Sequence, residues 1–345
     1  MLSLKLLSVS VKKSLAAAPL YSVGGNDTGQ LGLNNSNNYS SPVQVGSLSW
    51  SSVSAGYNHT MAIRSDRTLW AWGDNSAGEL GLNFLSHVSQ SSPVQVGSLS
   101  WFSVSAGRSY TMAIRSDRTL WAWGLNNFGQ LGKNNIANNS SPVQIGTSSW
   151  SSVSAGQSQT MAIRSDGTLW GWGAGGAGQL GQNNTSNYSS PVQVGTSSWS
   201  IASAGGDHSV AIAPGGTLWI WGSNAYGQLG NDNIATNSPI QVGTSAWSIV
   251  SAGSSYTMAI RSDGTLWAWG QNSSGNLGTN NLTSYSSPVQ VGTSSWSSVI
   301  ACFGQAVMAI RSDGTLWGWG ANYSGNLGTN NTTLTYSSPV QVGTS

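Results

Sequence analysis

The sequence predicts an all-β fold, a seven-bladed β-propeller of four-stranded blades, and three observations carry that expectation. All eighteen Trp residues of the 345-residue chain fall into two slots of one unit that recurs at intervals of 48 to 51 residues. No stretch has helical apolar periodicity; the apolar runs are short, alternate at period two, are rich in Val, Ile, Thr and Trp, and end in Gly, Pro, Asn or Ser. Each unit offers four such runs, and the unit recurs seven times. A period near 50 residues means a solenoid, an array or a propeller, because one unit cannot bury its own apolar face. Radial sheets around a channel let a chain of this length stay one domain, although single cores usually stop growing near about 250–300 residues.

Taken in order, residues 1–19 depart from the repeat and residues 20–345 carry it. In the N-terminal segment Leu7, Val9 and Val11 alternate like a strand. Two readings stay open: a segment that supplies the missing inner strands of the first blade and closes the ring, or an arm that anchors the propeller to a larger assembly through Leu2, Leu4, Lys5 and Lys12. Lys12 and Lys13 interrupt the apolar run too early for a signal peptide. No apolar run approaches the roughly 18 residues of a spanning helix, so no membrane insertion is expected.

The repeat is clearest from Trp150. Its first strand is Trp150-Ser-Ser-Val153-Ser-Ala155, followed by Gly156, and its second is Thr160-Met-Ala-Ile163-Arg164. Asp166-Gly167 then joins a hairpin, where a two-residue turn needs positive φ and Gly supplies it. In two repeats that Gly is Arg67 or Arg118, so either the turn type differs or a cost of roughly 1–2 kcal/mol is tolerated. The third strand, Thr168-Leu-Trp170-Gly-Trp172-Gly173, recurs from Leu69, Leu120, Leu218, Leu266 and Leu316, with a weaker copy at Leu20-Tyr21-Ser22-Val23-Gly24. A Gly178-Gln179-Leu180-Gly181 turn and an Asn/Ser loop lead to the fourth strand, Pro191-Val-Gln-Val194. Two Trp per strand, alternating with small residues, are expected to pack blade against blade and not to form a sugar platform.

These motifs (Ser154-Ala155-Gly156, Asp166-Gly167, Trp170-x-Trp172-Gly173, Gly178-Gln179-Leu180-Gly181 and Pro191-x-x-Val194) resemble the repeat of the regulator of chromosome condensation family, over about residues 20–345. That family includes a chromatin-bound exchange factor for a small GTPase, a plant ultraviolet photoreceptor and secreted bacterial β-lactamase inhibitors. What the resemblance implies is protein binding through loops on the propeller faces, since function belongs to the faces and not to the fold. The photoreceptor type carries Trp and Arg just after Ala-Gly; no Trp occupies that register here.

Charged residues are only 6% of the chain and concentrate in Arg-Ser-Asp hairpins, and the net charge of +2 leaves no basic stripe for phosphates, which excludes nucleic acid as a partner. Cys302 is the single cysteine and reads as a small buried residue in place of the Ala of the last Ser-Ala-Gly. His59, His87 and His208 form no metal-ligand spacing, and the acidic residues outside the hairpins (Asp27, Asp74, Glu79, Asp207, Asp232) are dispersed. The expectation is a non-enzyme with no cofactor and no metal.

Candidate binding residues come from comparing repeats, on the premise that positions which vary face solvent. The register after Ala-Gly is expected to ring a channel mouth with Tyr57, His59, Arg108, Tyr110, Gln157, Gln159, Asp207, His208 and Tyr256, residue types favoured in contacts. The register after Trp-Gly adds Asp74, Leu125, Phe128, Tyr226 and Tyr323, the long Asn/Ser loop before Ser-Pro-Val-Gln is a third variable register, and Phe84-Leu85-Ser86-His87-Val88 is an atypical insertion. With solubility resting on neutral Asn, Ser, Thr and Gln loops, the composition points to an extracellular protein or glycan binder, an exterior component of a virion or cell surface. The alternative is a cytoplasmic regulator of a small GTPase.

Overall fold

The computed structural model describes residues 18–83, 89–232 and 234–343. Six repeats are complete four-stranded antiparallel blades, of which strands Trp150–Ala155, Gln159–Arg164, Thr168–Gly173 and Tyr188–Ser198 are representative. The first unit contributes two strands, Tyr21–Gly24 and Tyr39–Gln44. Residues 1–17, on which both readings of the N-terminal segment fall, lie outside the described residues, as does the Phe84–Val88 insertion. Among the described residues no helix is long and apolar enough to cross a membrane.

The hairpin differs from the two-residue turn expected. Gly167 N–H bonds Arg164 O at 3.0 Å and only Gly167 has positive φ (86°), so the loop is Ser-Asp-Gly, a turn followed by a left-handed residue. Asp166 Oδ1 accepts the N–H and hydroxyl of Thr168 at 2.9 and 2.6 Å, and Thr168 Oγ1 accepts the indole N–H of Trp170 at 2.9 Å. Arg67 and Arg118 keep the same turn at φ 69° and 72°, so the left-handed cost is borne and the turn type is unchanged.

Trp supplies the packing in two ways. The Trp that opens each four-stranded blade packs against both indoles of its own third strand, edge-on in all but the tilted Trp199–Trp221 pair, as Trp150 does with Trp170 and Trp172 at 6.4 and 5.9 Å; such pairs are each worth about 0.5–1.5 kcal/mol beyond burial. The second indole of the strand reaches the preceding repeat: Trp72, Trp123, Trp172, Trp221 and Trp269 donate N–H to the carbonyls of Gln30, Glu79, Gln130, Gln179 and Gln228, all at 2.9 Å. The blade-on-blade expectation therefore holds for that indole. The first indole of the strand is half-buried, and Arg164, Arg261 and Arg311 lie 3.5 to 3.7 Å over Trp170, Trp267 and Trp317.

The Asn-rich loops have a structural task. Asn34, Asn83, Asn134, Asn183, Asp232, Asn280 and Asn330 all adopt positive φ (58° to 64°), a conformation Asn and Asp tolerate better than most residues. Each donates its backbone N–H to the next repeat, to the carbonyls of Ser91, Ser140, Ser189, Asn237, Ser286, Ser337 and, returning to the first unit, Ser40. The bonds form a closed cycle. Along the inner strands Ser54, Ser105, Ser154, Ser203 and Ser251 accept the N–H of Ala106, Ala155, Ala204, Ala252 and Ala301 at 2.9 to 3.0 Å. In the last repeat Ala301 pairs with Val307 as Ala55 pairs with Thr60, so Cys302 takes the place of Gly56 and not of the Ala expected from sequence.

Candidate protein-binding face

The antiparallel order puts the end of the first strand, the start of the second, the end of the third and the start of the fourth at one end of every blade. The two variable registers therefore share one face. Backbone bonds join them directly: Asp74, Leu125, Ala174, Ser223, Gln271 and Ala321 donate N–H to Asn58, Ser109, Ser158, Asp207, Ser255 and Gln305 at 2.8 to 2.9 Å. The Arg-Ser-Asp hairpins lie at the opposite end.

The long loop of this face is built on a buried Asn. Asn126 Oδ1 accepts the N–H of Leu131 at 2.9 Å while its Nδ2 donates to the carbonyls of Asn135 and Ala137, and Asn26, Asn224, Asn272 and Asn322 hold Leu31, Leu229, Leu277 and Leu327 alike. The following Gln secures the tip: Gln130 and Gln228 accept the N–H of Phe128 and Tyr226 at 2.9 and 2.8 Å. Glycine is required beside it, because a Cβ on Gly129 would stand 2.5 Å from the Ser189 backbone of the next repeat and one on Gly132 would stand 2.7 Å from the Trp172 indole. In the second repeat Glu79 replaces this Gln. It is buried, and desolvation, with Asp74 nearby adding to it, pushes its carboxyl up to about 7.

The structure divides the residues expected at the channel mouth. Arg108 and Asp207 are exposed, Tyr57 and Gln157 are half-buried, and Arg108 stacks over Tyr57 of the preceding repeat at 5.5 Å. His59, Tyr110, Gln159, His208 and Tyr256 are fully buried, which corrects the premise that varying positions face solvent. Each spans to the next blade: Tyr110 OH donates to Gln159 O at 2.5 Å, Gln159 Nε2 to Gly205 O at 3.0 Å and Tyr256 OH to Ala306 O at 2.9 Å. His59 and His208 meet Thr111 and Thr257 at 3.1 and 3.0 Å. Since those hydroxyls donate to Glu79 O and Gln228 O, the imidazoles are assigned as Nε2–H donors. Burial holds both near 3, well below the ordinary 6.5. Three residue types make one inter-blade bond, and that is why the position varies.

The second register is the exposed one. Phe128, Tyr226 and Tyr323 are 44%, 50% and 58% exposed, while Asp74 and Leu125 are half-buried. The third variable register, the Asn/Ser loop, exposes Ile136, Ile234, Leu282 and Leu334, which the sequence comparison did not single out. Three of the four directly follow an Asn-Asn or Asp-Asn pair, a signal available in the sequence. This face also carries Asp27, Asp74, Asp207 and Asp232 against Arg108 and Lys133. Among the described residues no group of three or more His, Cys, Asp or Glu comes together as a metal site.

A family model described as the RCC1-like domain matches residues 20–345, and the chain belongs to that family. The Arabidopsis thaliana ultraviolet-B receptor UVR8 is 34% identical over 119 residues, covering 33% of this chain and 27% of that protein. A Caenorhabditis elegans homologue of the X-linked retinitis pigmentosa GTPase regulator is 34% identical over 87 residues, 24% of this chain and 6% of that protein. The chain thus matches less than a third of the length of these relatives. Among solved structures, yeast RCC1 (Prp20) bound to Kap60 superposes with a TM-score of 0.86 at 18% identity, covering 96% of this chain and 84% of that one. Human WBSCR16 superposes at 0.85 with 21% identity, covering 95% and 94%. At these identities the superpositions speak to the fold, an RCC1-type β-propeller.

Proposed function

We propose that the chain is a non-enzymatic protein-binding propeller whose partner docks on the loop face. The observation that carries this reading is the set of large apolar side chains, Phe128, Ile136, Tyr226, Ile234, Leu282, Tyr323 and Leu334, held exposed on ordered loops at one end of the ring. Large apolar side chains exposed together at one end of a protein support an interaction site there. A glycan is disfavoured, because the ring faces of Trp170, Trp267 and Trp317 that a sugar would stack on carry arginine. The exterior or virion setting rests on composition alone.

Within this reading an intracellular regulator of a small GTPase is better supported than a surface component. One curated relative is named a GTPase regulator homologue, and the yeast Prp20p structure is described together with binding to Gsp1p and histones. The name of the ultraviolet receptor carries less, because no Trp follows Ala-Gly in this chain. The test is nucleotide release from a panel of purified small GTPases, with the intact chain and with Phe128→Ser/Tyr226→Ser/Tyr323→Ser. Binding or accelerated release that the triple variant loses supports the reading; unchanged binding by that variant places the contact elsewhere.

A further inference from the structure

Two neighbouring hairpins break the pattern of the repeat. In three blades the hairpin loop is Arg-Ser-Asp-Gly, at 164–167, 261–264 and 311–314, with one cation and one anion each. In the first two complete blades it is Arg64-Ser65-Asp66-Arg67 and Arg115-Ser116-Asp117-Arg118, so each carries a second cation. Asp66 and Asp117 are engaged by Arg64 and Arg115 at 3.2 and 3.3 Å. Among the described residues Arg67 and Arg118 form no salt bridge. Both hold left-handed backbone, at φ 69° and 72°, where glycine stands in the other three loops and carries no steric cost.

A third departure lies beside them. The residue after the opening Trp is Ser51, Ser151, Ser200, Ser248 and Ser297 in five blades, and four of these hydroxyls donate to the carbonyls of Ile63, Ile163, Ile260 and Ile310 at 3.0 to 3.2 Å. In the remaining blade that residue is Phe102, which has no hydroxyl to make the bond and stands 40% exposed. The fold brings the three together. Arg67 O accepts the N–H of Trp101 at 2.9 Å, so the hairpin of one blade rests on the strand that carries Phe102 in the next, and the Arg118 guanidinium lies 3.7 Å over the Phe102 ring. Backbone strain and a lost hydrogen bond kept together at one point of the surface point to function there.

We infer that Arg67, Phe102 and Arg118 form a second docking site, at the hairpin end of the ring, for an acidic peptide segment of a partner protein in which carboxylates flank an apolar residue. A guanidinium is a planar fork that pairs with a carboxylate through two N–H donors, and one stacked on an aromatic ring keeps its edge for such a pair. The Phe102 ring gives the apolar residue a surface beside the two charges. Two cations are too few for the run of phosphates in a nucleic acid. The site lies at the opposite end from the loop face, and its occupancy does not depend on what binds there.

Fluorescence anisotropy of a labelled Glu-Glu-Leu-Glu-Glu peptide with the intact chain tests this. Binding that weakens with added salt is expected, and none by Gln-Gln-Leu-Gln-Gln. Arg67→Gly/Arg118→Gly installs the residue that the other three loops use, so this variant is expected to melt no lower than the intact chain while binding the acidic peptide at least about tenfold more weakly. Phe102→Ser restores the serine of the other blades and is expected to weaken binding severalfold. Phe128→Ser/Tyr226→Ser/Tyr323→Ser, altered on the loop face, is expected to bind the peptide as the intact chain does. No binding by the intact chain, equal binding by Arg67→Gly/Arg118→Gly, or equal binding of a single-stranded DNA oligonucleotide would overturn the proposal.

Discussion

Glu79 shows what one side chain does when the repeat sets its surroundings. Its neighbours in register are Gln30, Gln130, Gln179 and Gln228, neutral groups that accept a backbone N–H without a buried charge. With the Glu79 carboxyl raised from 4.5 to about 7, the folded protein holds more proton than the unfolded chain between those values, so stability falls as pH rises through that window. Glu79→Gln is expected to stabilise by about 3 kcal/mol at pH 8 and by little near pH 4.5. Thermal unfolding at both pH values checks this; an equal gain at both would mean that charge is not the cause. The imidazoles have the opposite sense. His59 and His208 are bases lowered from 6.5 to about 3, so the unfolded chain takes up protons that the fold refuses, and stability falls as pH drops below 6.5. His59→Gln/His208→Gln, using the residue the structure already accepts at Gln159, should flatten that acid limb in a pH series of denaturant midpoints. Arg67→Gly relieves the left-handed backbone and is expected to raise Tm by a few degrees. Arg118→Gly gains less, since it also removes the guanidinium 3.7 Å over Phe102.

At the scale of the element, the loop after Trp-Gly separates architecture from contact. Asn126→Ala leaves the Leu131 N–H and two carbonyls without their buried partner and is expected to cost about 2–3 kcal/mol by denaturant unfolding, whereas Phe128→Ser should change stability by less than about 0.5 kcal/mol while weakening binding. A reversed order would mean that the Phe128 loop is held by its tip. The strands were legible from sequence because period-two alternation and the Trp slots report directly on packing. The candidate face was only half legible. Variation among repeats marked Phe128, Tyr226 and Tyr323 correctly as exposed, but it also marked His59, Tyr110, Gln159, His208 and Tyr256, which differ because a hydroxyl, an amide and an imidazole can each bridge two blades. Which end of a blade a loop occupies depends on strand pairing, so the merging of the two registers into one face required the sheet topology.

Across the whole molecule, arginine and the exposed apolar loop residues are largely segregated. Seven of the eight Arg residues (64, 67, 115, 118, 164, 261 and 311) belong to hairpins at one end, with Asp66, Asp117, Asp166, Asp263 and Asp313. Hydrogen bonds from Thr hold those five carboxyls below their usual range, so they contribute stability that is kept at neutral pH and lost as pH falls through their lowered values. The seven Asn and Asp bonds between repeats also run in one direction, each loop resting on the repeat that follows it, and the loop at Asn330 rests on Ser40 of the first. During synthesis, every repeat that leaves the ribosome therefore waits for its successor, until the loop at Asn330 meets the first repeat, already made. Fragments of three or five repeats are expected to show broad, non-cooperative melting by circular dichroism, where the whole chain melts in a single sharp transition. Cooperative stability of the ring is thus expected only once the repeat that bonds back to Ser40 has been made.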